Sequence, residues 1–199
     1  MPKKFRAIQG DGSQFQCALQ CATCGEPTKA GHPCKRRACH GMPVCWTHCQ
    51  KLYHLRTGTS TIPHAGKGLF VKVNSSFVYP YPNDVVFRRG DWVCPYVGEH
   101  MTMQGIDARY GDDGEAPYSL CDGNQCVDAA CKRGWGSFAN HRAHANAENV
   151  QYVLRVTGRG NNRTREFWLK ATKNIRNNDE ILANYGNIYT MQNGSHSTR

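Results

Sequence analysis

The 199-residue chain contains 39% hydrophobic and 10% aromatic residues and carries a formal net charge of +10. Its length suits one ordinary domain with a small accessory module, and its apolar content excludes a disordered chain. No stretch approaches the roughly 18 consecutive apolar residues of a membrane span, and no apolar block follows the basic start Met1-Pro2-Lys3-Lys4. A soluble, intracellular protein without membrane partners is expected.

In chain order, residues 1–16 are polar and are expected to form a flexible lead-in. Residues 17–56 read as a Cys/His module: seven of the eleven cysteines lie between Cys17 and Cys49. Gln50 to Gly58 has the character of a short helix or linker. From Thr61 the chain changes to short β-like runs separated by turns. These are Gly68–Val73, then Asp91–Val97 after the turn Arg89-Gly90, then Val150–Val156 and Glu166–Lys170 as a hairpin around 158–162, and finally Asn178–Leu182. Thr102–Arg109 is the helix candidate in this part. The expected architecture is a mostly β domain over 61–190, a flexible tail over 191–199, and the Cys/His module in front.

Charge follows the same division. Residues 1–60 carry nine Lys/Arg and two Asp/Glu, a net of +7, whereas 61–199 carry sixteen and thirteen, a net of +3. A positive N-terminal third suits nucleic acid or an acidic protein surface, and it equally suits a solvated basic face; both readings stand. An odd cysteine count without a secretory leader argues against a disulfide framework. Reduced thiols clustered with histidines point to metal instead.

Within the module, Cys45-x-x-His48 is the strongest element, because two intervening residues let both side chains converge on one ion. A tetrahedral Zn²⁺ takes four thiolate or imidazole donors, and the preferred set is Cys24, Cys34, Cys45 and His48. Cys17, Cys21, Cys39, His40 and Cys49 remain for a second site or as substitutes. A zinc here would be structural, since it supplies folding energy to a module without a core. Cys24 to His48, with Lys35-Arg36, resembles a short Cys/His module found in proteins of large DNA viruses.

Three later stretches carry chemistry. Gly66-Lys67-Gly68 is a turn leading into a strand, where glycines permit close backbone approach to a ligand. It lacks the strand-before, helix-after context of a dinucleotide fingerprint. Asn140-His141 follows an apolar lead. Asp179-Glu180-Ile181-Leu182-Ala183-Asn184-Tyr185-Gly186 is a short strand ending in Tyr-Gly.

In this order and spacing the three stretches resemble the SET domain of protein lysine methyltransferases, over about Thr61 to Tyr189. Gly90-Asp91-Trp92-Val93 with Tyr96-Val97-Gly98-Glu99, Tyr118-Ser119-Leu120 with Val127-Asp128-Ala129, and Phe167 to Ile175 are similar to further family segments. The resemblance implies small β-sheets around a knot-like crossing of the Asn140-His141 and Tyr-Gly segments. It implies S-adenosylmethionine held by Gly66, Lys67, Gly68, Asn140 and His141, with Tyr189 closing the cofactor side. Tyr185 matches the catalytic tyrosine, and Tyr96 and Tyr118 match positions lining the substrate lysine's channel.

The chain departs from the family pattern at several places. Arg142 stands where serine is usual and would repel a sulfonium. Ala143 replaces a cysteine that in many relatives shares a zinc with a Cys-rich tail, and no cysteine follows Gly186. Short viral members of the family share that economy. The tail 187–199, a homodimer partner or the N-terminal module would then close the lysine channel. Ala183 occupies an often aromatic position. The resemblance implies lysine methylation of a histone tail or another basic protein, in a nucleus (the host's, if the protein is viral). The competing reading is an inactive SET scaffold acting as a chromatin or nucleic-acid adaptor through its zinc module.

Overall fold

The computed structural model describes residues 5–8, 14–17, 22–38, 44–111, 116–141, 147–160 and 163–185. Strands β1 (Phe5–Ile8) and β2 (Gln14–Cys17) pair antiparallel, in the stretch expected as a lead-in, and β3 (Ala22–Thr23) and β4 (Arg37–Ala38) form a second ribbon before helix α1 (Trp46–Tyr53). Next come β5 (Leu55–Thr59), β6 (Lys67–Val71), β7 (Val85–Phe87), β8 (Trp92–Pro95) and β9 (Glu99–Thr102), then helix α2 (Met103–Tyr110). The hairpin β10 (Ser119–Asp122) and β11 (Gln125–Asp128) precedes a 3-10 turn at Trp135–Phe138. The chain ends on β12 (Val150–Thr157), β13 (Thr164–Ala171), β14 (Ile175–Arg176), β15 (Glu180–Ile181) and β16 (Ala183–Asn184). The fold is mostly β, as expected.

Two compact units arise, each from two chain segments. The first comprises Met1–Tyr53 and Pro95–Ser137, the second His54–Cys94 and Phe138–Arg199.

In the first unit β9, β11 and β10 form an antiparallel sheet, with α2 packed through Ile106 and Tyr110 against Cys126, Ala130 and Cys131. Thr102 caps α2, its hydroxyl accepting from the Gly105 N–H at 3.1 Å, which satisfies one of the donors a helix start leaves open. Asp128 is fully buried. It accepts from Arg109 at 2.7 Å, from the Tyr110 hydroxyl at 2.9 Å and from the Ala130 N–H at 2.9 Å, so the buried charge is paired and hydrogen-bonded.

The argument against disulfides fails at the later cysteines. Cys121 and Cys126 are directly opposed in the β10–β11 register, with Cα atoms 4.1 Å apart, and form a disulfide; Cys131 is disulfide-bonded too. An odd count says nothing about which pairs a hairpin brings face to face. Among the described residues, Cys24, Cys34, Cys45 and Cys49 are free thiols.

The second unit holds two principal sheets. One has the order β16-β12-β13-β8, with the β12–β13 hairpin in register from Val150↔Ala171 to Thr157↔Thr164. The other is β15-β6-β5, in which β6 is central and Gly68 to Val71 are all buried. Leu55, Leu69, Leu169, Ile175 and Ile181 are fully buried, each contributing about 1.5–3 kcal/mol by leaving water. The segment 50–58, expected as a short helix or linker, is helical to Tyr53 as the end of α1 and then becomes β5. Leu55 is buried, and Thr57 and Thr59 pair with Leu69 and Lys67, so tertiary pairing decides a segment whose local pattern is ambiguous.

Candidate active site and metal centre

The metal centre is built by three local devices in the first unit. Cys24 directly follows β3, and its N–H donates to the Arg36 carbonyl at 2.9 Å. Cys34 is brought back beside it by the turn at 28–31, where Gly31 adopts φ 79°, and its N–H donates to the Glu26 carbonyl at 3.1 Å. Cys45 immediately precedes α1 and His48 lies in its first turn, so the Cys-x-x-His spacing becomes a helix-start geometry.

The four ligand atoms lie within 4.8 Å of one another, with His48 Nδ1 at 3.1 Å from Cys24 Sγ and 3.6 Å from Cys45 Sγ. Tetrahedral zinc with metal–sulfur bonds of ~2.3 Å needs donors about 3.8 Å apart. The three thiols are buried. Burial opposes a thiolate at Cys24, yet contacts from the Cys45 and Glu26 backbone, from His48 and from the Cys45 side chain outweigh it and lower its pKa to about 6. At Cys34 the Arg36 N–H favours the thiolate, but desolvation and the neighbouring Cys24 and Cys45 push it up. Three buried thiols converging beside one imidazole make a donor set that suits Zn²⁺.

Of the remaining module residues, Cys49 is buried with its Sγ 3.8 Å from the Val44 carbonyl, and burial raises it to about 11. It is a core thiol on the buried face of α1 and not one of the four clustered donors. Trp46 meets Trp135 edge-on at 4.5 Å, giving this part of the unit a small aromatic core. Cys21, Cys39 and His40, and the side chain of Cys17, lie outside the described residues.

The second site is built on main-chain pairing in the second unit. Asn140 and Leu182 form a parallel bridge, and the Ala183 N–H donates to the Asn140 carbonyl at 2.8 Å. One residue on each side, the Tyr185 hydroxyl donates to the Ala139 carbonyl at 2.6 Å and His141 Nδ1 lies 3.2 Å from the Ala183 carbonyl. The His141 and Tyr185 rings stack at 5.4 Å, and Tyr152 of β12 lies 6.1 Å from Tyr185. Asn149 secures the crossing strand: its Nδ2 donates to the Glu180 carbonyl at 2.8 Å and its Oδ1 accepts from the Leu182 N–H at 2.9 Å.

The Gly66-Lys67-Gly68 turn opens β6 and meets this crossing through Asn140, whose Nδ2 donates to the Lys67 carbonyl at 3.1 Å. Gly66 adopts φ 71°, and the space its Cβ would occupy is open. At Gly68 the reverse holds: a Cβ would collide with Glu180 Oε1, and Asn140 Nδ2 would stand 3.3 Å away. Lys67 and Asn140, 73 positions apart in the chain, thus meet beside the open position at Gly66, with backbone and carboxamide polar groups side by side.

Tyr96 and Tyr118 belong to the first unit. Tyr96 is buried, its hydroxyl donates to the Tyr118 carbonyl at 2.8 Å, and the Arg133 guanidinium lies 4.1 Å over the Tyr118 ring. Tyr189, Arg142, Ala143 and the tail lie outside the described residues. Sequence reasoning did not single out Tyr152, Asn149, Ser60 or Thr61, and it treated Glu180 only as part of a motif. Only the geometry of the crossing reveals their positions.

A family model for the SET domain matches residues 85–186, just over half of the chain. No curated protein matches the chain. The match takes in Asn140, His141 and Tyr185 with the crossing that joins them, and the chain belongs to the SET domain family.

Proposed function

We propose that the chain is an S-adenosylmethionine-dependent protein-lysine N-methyltransferase acting on a histone or another basic protein. The carrying observation is the crossing itself, which places Tyr185, His141 and Asn140 together and ties the Gly66-Lys67-Gly68 turn to them. Gly66, Lys67, Gly68, Asn140 and His141 would hold the cofactor, which supplies an electrophilic methyl group when bound.

The chain's own task is to present a neutral amine. Free lysine has a pKa near 10.4, and desolvation among aromatic rings disfavours its ammonium form. The Tyr185 hydroxyl donates to the Ala139 carbonyl, and a phenolic oxygen can at the same time accept from an amine N–H. That contact orients the nitrogen lone pair, and such positioning supplies much of the rate. The roles of Tyr96 and Tyr118 in lining the lysine path rest on the family resemblance. Zinc at Cys24, Cys34, Cys45 and His48 is assigned a structural role. An intracellular, nuclear setting and a virus-like short form belong to the same reading.

The test is transfer from labelled S-adenosylmethionine to core histones and lysate proteins. Tyr185→Phe is expected to lower transfer by about 10²-fold while leaving cofactor binding intact. Absence of both cofactor binding and transfer in the wild type would overturn the proposal. The adaptor reading is favoured by the exposed Lys35, Arg36 and Arg37 of the module. It predicts salt-dependent nucleic-acid binding that Tyr185→Phe leaves unchanged.

A further inference from the structure

We propose that Glu180 is a positioning residue for the cofactor site, clamping the chain before the glycine turn to Asn140 and setting which way the Asn140 carboxamide faces. The inference rests on the methyltransferase reading above and goes beyond its residue set.

Glu180 is 8% exposed, one of two buried acidic side chains among the described residues. Its Oε1 accepts from the Ser60 hydroxyl at 2.6 Å, and its Oε2 accepts from the Thr61 N–H at 2.7 Å and from the Thr61 hydroxyl. Asn140 Nδ2 lies 3.4 Å from Oε1. One carboxylate therefore joins the two residues that follow β5 to the Asn140 segment. The fit at Gly68, where no Cβ can be accommodated, is a consequence of the same carboxylate.

Burial opposes the charge, but the Ser60 and Thr61 hydroxyls, the Thr61 N–H and Asn140 outweigh it and hold the carboxyl below its ordinary range. At neutral pH Glu180 is thus ionised and accepts only. A primary amide flanked by two acceptors, Glu180 Oε1 and the Lys67 carbonyl, must turn its NH₂ toward them. Its Oδ1 then faces away from both, as a fixed acceptor for an N–H or O–H of the bound cofactor. Glutamine at 180 removes that compulsion, because it offers both a donor and an acceptor and sets an NH₂ against the Ser60 or Thr61 donors. Rigid supporting hydrogen bonds of this kind hold first contacts within the small tolerance a reaction needs.

The experiment is equilibrium dialysis with labelled S-adenosylmethionine, with a kinetic matrix in cofactor and histone. Glu180→Gln is expected to raise the cofactor Kd and KM by about tenfold, leaving kcat at saturating cofactor and the histone KM within about twofold. Ser60→Ala with Thr61→Val keeps the carboxylate beside Asn140 but loosens it, and is expected to raise the cofactor KM by about fivefold. A purely structural role predicts something else: kcat falling with the folded fraction at unchanged KM. That pattern overturns the proposal. So does an unaltered cofactor Kd in Glu180→Gln, or in the Ser60/Thr61 pair if Glu180→Gln does not fold, when the wild type binds. In those cases the enzyme reading survives. A wild type that binds no S-adenosylmethionine overturns the enzyme reading and the clamp together.

Discussion

The Cys/His cluster and the Asn140–Tyr185 crossing solve the same problem, holding polar groups in fixed geometry, with different means. In the cluster the two-residue ribbon of β3 and β4 and the eight-residue α1 bury little, so the side chains that would hold the metal must also hold the fold. At the crossing, β6 and β12 bury Leu69, Val71 and Val150 completely, and the functional side chains project from a frame already fixed by main-chain bonds. The first region should therefore fail all at once when its ligands are lost. The second should weaken by steps, one contact at a time.

The largest expected effect is metal loss. Wild-type protein should contain about one zinc per chain. Cys45→Ser with His48→Ala should contain none and should lose the helical signal of α1, since structural zinc supplies on the order of 10 kcal/mol of apparent folding energy in small modules. Metal analysis and circular dichroism before and after chelation check both points. Retained zinc would refute the four-residue set, and an unmoved spectrum would erase the contrast between the two regions.

Next is the apolar frame of the second unit. Leu169 is fully buried on β13, between β12 and β8, where neighbouring strands cannot close over a void. Leu169→Ala is expected to cost about 3 kcal/mol, read from denaturant unfolding, with zinc content unchanged. A smaller step should follow at Asn149, whose one carboxamide makes two bonds, to Glu180 and Leu182, in the segment that leads to Tyr185. Asn149→Ala should cost about 2 kcal/mol, since it strands a main-chain donor and a main-chain acceptor, and should lower methyl transfer more than it lowers zinc content. Equal losses of transfer and zinc would mean that the two regions do not fail separately.

This contrast also explains what could be read in advance. Cys45-x-x-His48 is legible because its two ligands are local, and a pattern of residue types at fixed spacing carries them. The hairpin of β12 and β13 is legible for the same reason, through its period-2 alternation around 158–162. Asn140, His141 and Tyr185 are legible only as an ordered set, because the pairing of 140 with 182 is a property of the fold and not of either segment. Strand β5 was illegible, since Leu-Arg-Thr-Gly-Thr has no clear period and takes its conformation from β6. The Cys121–Cys126 disulfide escaped a reading based on cysteine count, because only the β10–β11 register places them opposite each other. Glu180 is the extreme case: its donors Ser60 and Thr61 are 120 and 119 residues away, and no local signal distinguishes it from a surface acid.

The smallest expected effect comes from that same carboxylate, as pH is lowered. The hydrogen bonds from Ser60, Thr61 and Asn140 place the folded-state pKa of Glu180 below its ordinary value in spite of burial. The unfolded chain therefore binds this proton more readily than the folded one, and stability rises with pH across the interval between the two values. The contribution is complete above the unfolded pKa, about 4.3 for a free glutamate, and is lost as pH falls through the lower folded value. Between pH 8 and 5 it should be flat. Glu180→Gln has no proton to gain, so the acid limb of its unfolding curve should be shallower than that of the wild type, and the two curves should converge toward low pH. Unfolding free energies measured from pH 6 to pH 3, followed by a probe in the second unit, check this. Parallel limbs would mean that the four contacts do not favour the charged form in solution. The frame around Asn140 would then rest on its main-chain pairing and the Asn149 and Tyr185 bonds, without help from the charge of Glu180.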